Sequence, residues 1–234
     1  APVCPSMRLP CPTPGTGSHS RVGLGKTLGL FLGLVQVLAR YQLRVLIGHV
    51  RAVLVHEPLD LSEGQVDCAI RFGHGRWPEA EVRPLMGDSL LLLASPTLLG
   101  PEPPQTLKQL LQLPLLHASE NWATWLADVP EAHSGVQRPA SHMSFTDSTH
   151  LLEATRLGMG VALSRRSIAD QLLQRRELVQ AHAHECAHAS AYYLLLPKVS
   201  GKHPARDAFA DWLQGACSRF AQRHALPTGV LNGG

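Results

Sequence analysis

Aromatic residues are scarce, at 5% of the chain, and cysteine is limited to five positions in 234 residues. Cys4, Cys11, Cys68, Cys186 and Cys217 are odd in number, irregularly spaced and form no CxxC pair, which argues against a disulfide framework. Missing too is any apolar run of about eighteen residues that could span a bilayer. No basic stretch followed by an apolar segment and a small-residue cleavage site marks a secretory signal. The expected compartment is therefore the cytoplasm, with no membrane partner. No block of like charge stands behind the net charge of +3, so composition by itself does not point to nucleic acid. Catalytic signatures are also missing: there is no HExxH, no GxSxG elbow around Ser95, Ser119, Ser148 or Ser164, and no carboxylate pair at a defined spacing. The chain reads as a non-enzyme, and no cofactor is expected.

What is present is a large stock of Leu, Val and Ala within 44% hydrophobic residues, enough to bury a substantial core. That balance suits helices packed on a buried sheet, an α/β fold, better than an antiparallel sandwich. Residues 1–19, rich in Pro, Gly, Ser and Thr, read as a disordered leader. The run LGLFLGLVQVLARYQLR (28–44) predicts a helix, residues 49–56 a strand and residues 60–65 a short helix. Strands follow in VDCAIRFG (66–73) and DSLLLLAS (88–95), separated by a loop at Trp77 and Pro78. Beyond the proline-rich GPEPP come a helix over 105–112, a short strand in LPLLH and a helix carrying Trp122 and Trp125. In FTDSTHLLEATRLGMGVALSRR, Asp147 or Ser148 caps a helix that Gly158 or Gly160 ends, and VALS is the next strand. The sequence closes with a helix over 168–179, a loop AHAHECAHAS, a strand AYYLLLP and a helix starting at Pro204.

Several segments carry chemistry, each with a plainer reading beside it. SRVGLGKT (20–27) ends like a phosphate-cradling loop in Gly25, Lys26 and Thr27, but Ser20 stands where the first glycine belongs and no hydrophobic strand precedes it. A flexible turn is the preferred reading over a nucleotide hydrolase. His182, His184, Cys186 and His188 are ligand types zinc accepts, yet their spacing matches no structural zinc frame. A solvated histidine-rich loop is preferred, with no metal. FTDSTH is different: Thr146, Ser148 and Thr149 present hydroxyls beside unpaired backbone N–H groups at a helix start, geometry suited to a carboxylate or phosphate. Simple capping explains only one of these residues.

Read in order, VDCAIRFGHGRWPEAEVRPLMGDSLLLLASPTLL, LPLLHASENWATWL, FTDSTHLLEATRLGMGVALSRRSIADQLLQRRELVQ and YYLLLPKVSGKHPARDAFADWL resemble the effector-binding domain of LysR-type transcriptional regulators. The similarity is greatest to the branch with the glycine-cleavage and β-lactamase-inducer regulators. It implies two Rossmann-like lobes joined by two crossover strands, as in type 2 periplasmic-binding proteins, with a small-molecule effector, an anionic one among the candidates, in the cleft between them. Lobe I would hold residues 20–85 and 191–234, lobe II residues 86–190, with hinges near Pro84 and Ala191. Carried over, FTDST matches the family's effector-facing stretch, so Thr146, Ser148 and Thr149 are first choices, followed by the aromatic Tyr192 and by Arg71, Phe72 and Gly73. Lys26 and Thr27 would occupy a lobe I ligand turn. A homodimer or tetramer is implied, the dimer through the 28–43 run. Residues 1–58 supply no helix-turn-helix, so DNA would be reached only through a domain outside this chain. The alternative reading is a solute-binding protein of a transporter.

Overall fold

The computed structural model describes residues 67–131, 143–198 and 204–227, together with the backbone of 20–24 and 50–54. Alternation sets the first sheet. Strand β3 (Cys68–Gly73) turns Cys68, Ile70 and Phe72 to one face and Ala69 to the other. The face with Ile70 is covered by helix α6 (Pro204–Arg223), which buries Phe209, Ala210, Leu213, Cys217 and Ala221 against it. Each large apolar side chain removed from water there contributes about 1.5–3 kcal/mol. Strands β1 (Ser20–Leu24) and β2 (Val50–Leu54) run parallel to each other, and β1 runs parallel to β3. Strand β10 (Ala191–Pro197) lies antiparallel between β3 and the edge strand β4 (Ala80–Met86), so the order is β2-β1-β3-β10-β4.

The second sheet has the order β7-β6-β8-β5-β9. Strand β5 (Ser89–Ala94) is buried on both faces, as its unbroken leucine run requires. Leu90, Leu92 and Ala94 pack with Trp122 and Trp125 of helix α3 (Trp122–Asp128). Leu91 and Leu93 pack on the opposite side against Leu152 of helix α4 (Ser148–Arg156) and Ile168 and Ala169 of helix α5 (Arg166–Gln174). Strands β6 (Leu115–His117), β7 (Met143–Ser144) and β8 (Val161–Arg165) are mutually parallel, with β6 between the other two, while β9 (Val179–Ala187) runs antiparallel to β5. Single turns α1 (Pro96–Leu99) and α2 (Leu107–Leu110) connect β5 to β6 and are capped by Ser95 and Thr106.

The chain passes between the sheets twice, at Gly87–Asp88 and at His188–Ser190. Both crossings are tied down. Gly87 N donates to Pro227 O at 2.8 Å, bringing the segment just after α6 onto the first, and His188 N donates to Asp88 O at 2.9 Å, joining the two.

Four sequence expectations change. The loop expected over 181–190 is mostly strand β9, because alternate side chains face a tryptophan core and the strand pairs with β5. The helix expected over 168–179 ends at Gln174, where Arg176 turns the chain left-handed (φ 58°) and lets Val179 start β9. The helix expected over 105–112 is one turn. Strand β4 has no counterpart among the expected elements: Pro84 lies inside it, tolerated because β4 is an edge strand. The leader, the helices expected over 28–44 and 60–65, and Lys26 and Thr27 lie outside the described residues.

Candidate functional site

Three parallel strands of the second sheet, β6, β7 and β8, end on one edge, from which Glu120, Thr146 and Arg165 follow or terminate them. Strand β3 of the first sheet ends at Gly73 beside the start of β10, where Tyr192 pairs with Phe72. Ligands in open α/β sheets collect outside such carboxyl ends. The two edges meet at the crossings.

A buried polar chain spans that meeting point. Arg165 Nη1 donates to the Tyr192 hydroxyl at 2.9 Å, the hydroxyl lies 2.9 Å from Ser167 Oγ, and Ser167 Oγ lies 2.5 Å from Asp88 Oδ2. The directions follow from the donor inventory: the single Ser167 proton goes to the Asp88 carboxylate, so Tyr192 must donate to Ser167. Asp88 also accepts from the backbone N–H groups of Ser89 and Ser167 and so caps helix α5 from across the crossing. Burial pushes Asp88 above the usual carboxylate range, opposed by Arg165 and these hydrogen bonds. Tyr192, fully buried, is raised above the ordinary phenol range mainly by desolvation.

A second branch leaves Arg165. Its Nε lies 2.9 Å from Glu120 Oε1 in an ion pair buried on both sides, 6% and 5% exposed, although the N–H is not aligned for a hydrogen bond. His188 Nδ1 accepts from Ser190 N at 2.8 Å, so Nε2 carries the proton of the neutral ring and donates to Glu120 Oε2 at 3.0 Å. Burial acts to raise Glu120, but the His188 hydrogen bond and the Arg165 charge outweigh it and hold the carboxyl below its usual value. Phe72 completes the cluster, with the Arg165 guanidinium 4.3 Å from its ring centroid and the Tyr192 ring at 4.6 Å.

Comparison with known proteins fits this geometry. The LysR substrate binding domain family matches residues 17–218. The chain belongs to that family. The glycine cleavage system transcriptional activator of Escherichia coli (strain K12) is 30% identical over 167 residues, covering 70% of this chain and 54% of that protein. The HTH-type transcriptional activator AmpR of Citrobacter freundii is 31% identical over 156 residues, 66% of this chain and 52% of that one. The chain thus spans about half the length of the curated relatives it matches. The effector domain of AmpR of Pseudomonas aeruginosa superposes with TM-score 0.69 at 26% identity, covering 89% of this chain and all of that one. The LysR-family chain therefore has the two-lobed, periplasmic-binding-protein-like α/β fold expected of it, as an effector-binding domain. The curated relatives named here are transcriptional activators, which does not favour the transporter reading.

Within this LysR domain the expected site residues separate into groups. Asp147 is the cap of α4, accepting from Thr149 N at 2.6 Å, so Ser148 and Thr149 are its first residues and Thr146 precedes the cap. Thr146 is exposed, while the Thr149 hydroxyl is buried without a hydrogen-bond partner among the described residues. Phe72 and Tyr192 are brought together, whereas Arg71 and Gly73 alternate to the other face of β3, where Trp77 lies so close that a Cβ on Gly73 would meet it at 3.2 Å. The histidines also divide: His182 and His184 meet the Trp125 ring edge-on, Cys186 is in the core with its thiol pushed up to about 11, and His188 belongs to the crossing. Among the described residues no group of three or more could hold a metal ion, and no helix is long and apolar enough to cross a membrane.

Sequence reasoning missed Asp88, Glu120, Arg165 and Ser167. Two of them carry a signal, Asp88 as the charge before the leucine run of β5 and Arg165 as the charge that ends VALSR, since strands buried on both faces reject unpaired charge.

Proposed function

We propose that this chain senses a small molecule in the cleft between its two lobes and passes the change in lobe arrangement to a DNA-reading region of a transcriptional regulator, acting in the cytoplasm as a homodimer or higher oligomer. The division would run 20–85 with 191–234 and 86–190. The observation that carries the reading is the Arg165–Tyr192–Ser167–Asp88 chain, which links both sheets at the two crossings, where a ligand touching either edge changes hydrogen bonds on both. Thr146, Ser148 and Thr149 offer ligand contacts from lobe II; Phe72 and Tyr192 border the same space with Arg71 and Gly73, and Lys26 and Thr27 would occupy the lobe I ligand turn.

The test is native mass spectrometry of protein purified from cells, followed by thermal melting and small-angle scattering with whatever small molecule co-purifies. A compound that raises the melting temperature saturably and contracts the particle supports lobe closure. Saturable binding with unchanged scattering and with resonance shifts only on the outer face of α6 overturns it.

A further inference from the structure

We infer that Arg165 is the residue that grips a carboxylate on the ligand, and that Glu120, Phe72 and Tyr192 are its positioning residues. The inference rests on the cleft reading above and names the chemistry of that site. A guanidinium has five N–H donors in a fixed planar fork. In Arg165, with its side chain only 6% exposed, Nη1 donates once, to Tyr192. Its Nε is buried and held 2.9 Å from Glu120 Oε1 in the ion pair, whereas Nη2 makes no hydrogen bond among the described residues and is not shut off from solvent. A donor without a protein partner at the end of a charged side chain that is otherwise buried and paired is open to an acceptor that arrives from outside.

Its neighbours fix where that acceptor must sit. Phe72 lies against one face of the guanidinium plane at 4.3 Å and Tyr192 holds one Nη1 hydrogen, so rotation about the last side-chain bonds is blocked. Glu120 compensates the charge from the Nε side. Asp88 reaches Arg165 through Ser167 and Tyr192, and three hydrogen bonds occupy its carboxylate. What remains is Nη2 with the second Nη1 hydrogen, N–H donors that can meet the oxygens of a carboxylate in charge-assisted hydrogen bonds. Because β8 ends at Arg165, those donors sit where the lobes meet.

Succinate is the probe, with its uncharged diamide as control. In a ¹⁵N-labelled sample the Arg165 Nε–Hε resonance is assigned by its disappearance in Arg165→Lys. The expected result is a saturable shift of that resonance with succinate up to about 50 mM, no such shift with the diamide, and affinity at least about tenfold lower in a folded Arg165→Lys, which keeps the charge and loses the fork. If the variant fails to fold, the resonance is assigned in ¹³C,¹⁵N-labelled wild type by through-bond correlation to the Arg165 side-chain carbons, and the wild-type titration then decides the matter. An unmoved Arg165 resonance, equal binding of the diamide, or no saturable shift anywhere overturns the assignment. Backbone shifts separate the two readings: shifts confined to residues 118–120, 146–149 and 190–192 with Arg165 unmoved leave the cleft standing without this anchor, whereas shifts mapping away from both sheet edges count against the cleft itself.

Discussion

The Tyr192 hydroxyl and Ser167 Oγ lie 2.9 Å apart, joining strand β10 of one lobe to helix α5 of the other through groups that are both buried. Removing the hydroxyl in Tyr192→Phe takes the acceptor from Arg165 and the donor from Ser167 at once. Unfolding in urea is expected to show a loss of about 1–3 kcal/mol with an unchanged slope, since the ring still packs on Phe72. A variant as stable as the wild type would mean that water satisfies Arg165 and Ser167 directly.

Glu120 makes stability depend on acidity. Its carboxyl is held below the ordinary glutamate value by His188 and Arg165 against the opposing effect of burial. A carboxylate depressed in the fold contributes stability that is fully present above its unfolded value and is lost as pH falls through the lower folded one. Asp88, raised by burial, works in the opposite sense over its own titration. Melting temperatures taken between about pH 6 and pH 3 should therefore fall less steeply in Glu120→Gln than in the wild type. Parallel curves would assign the acid sensitivity to other groups.

Gly160 is required by space rather than by backbone angle. A Cβ there would meet Pro114 O at 2.5 Å and Leu116 Cγ at 2.9 Å, and Val161 N donates to the same carbonyl. Gly100, at φ 64° and ψ −167°, has nothing within 4 Å of the position a Cβ would take and carries only the backbone strain of a conformation kept for glycine. Gly160→Ala should thus be destabilised by more than the roughly 1–3 kcal/mol expected of Gly100→Ala, because β6 and β8 would have to separate. Equal effects in chemical denaturation would show that the strands adjust freely.

At the start of α4 the capping role falls on Asp147, while the proposed ligand contacts are Thr146 and Ser148. Asp147 supplies the cap, so Asp147→Ala should lower stability by about 0.5–2 kcal/mol. Thr146→Ala with Ser148→Ala should leave melting nearly unchanged and weaken binding of the co-purified effector by about tenfold or more, as loss of hydrogen bonds to a charged group implies. Calorimetric titration beside melting curves checks both. Unchanged affinity in the double variant would confine these hydroxyls to the surface.

Periodicity and composition determined a good deal of this protein. The leucine run of β5, the apolar strands CAIRFG and AYYLLLP, a helix capped at Asp147 or Ser148 and stopped by Gly158 or Gly160, and the helix beginning at Pro204 were all legible, because each depends on neighbours a few residues away; the structure chose Asp147 and Gly158, at φ 80°. The order of the segments also carried the family. Tertiary structure decided the rest. Strand β4 exists in spite of Pro84 because an edge position leaves the missing N–H unneeded, and the histidine-rich stretch is a strand because β5 offered it a partner and Trp125 a surface. The crossing cluster was beyond local reading for the same reason. Asp88, Glu120, Arg165, Ser167 and Tyr192 come from five separate elements or turns: the fold of the second sheet and its crossing pairs Glu120 with Arg165 and Ser167 with Asp88, and only the meeting of the two sheets adds Tyr192.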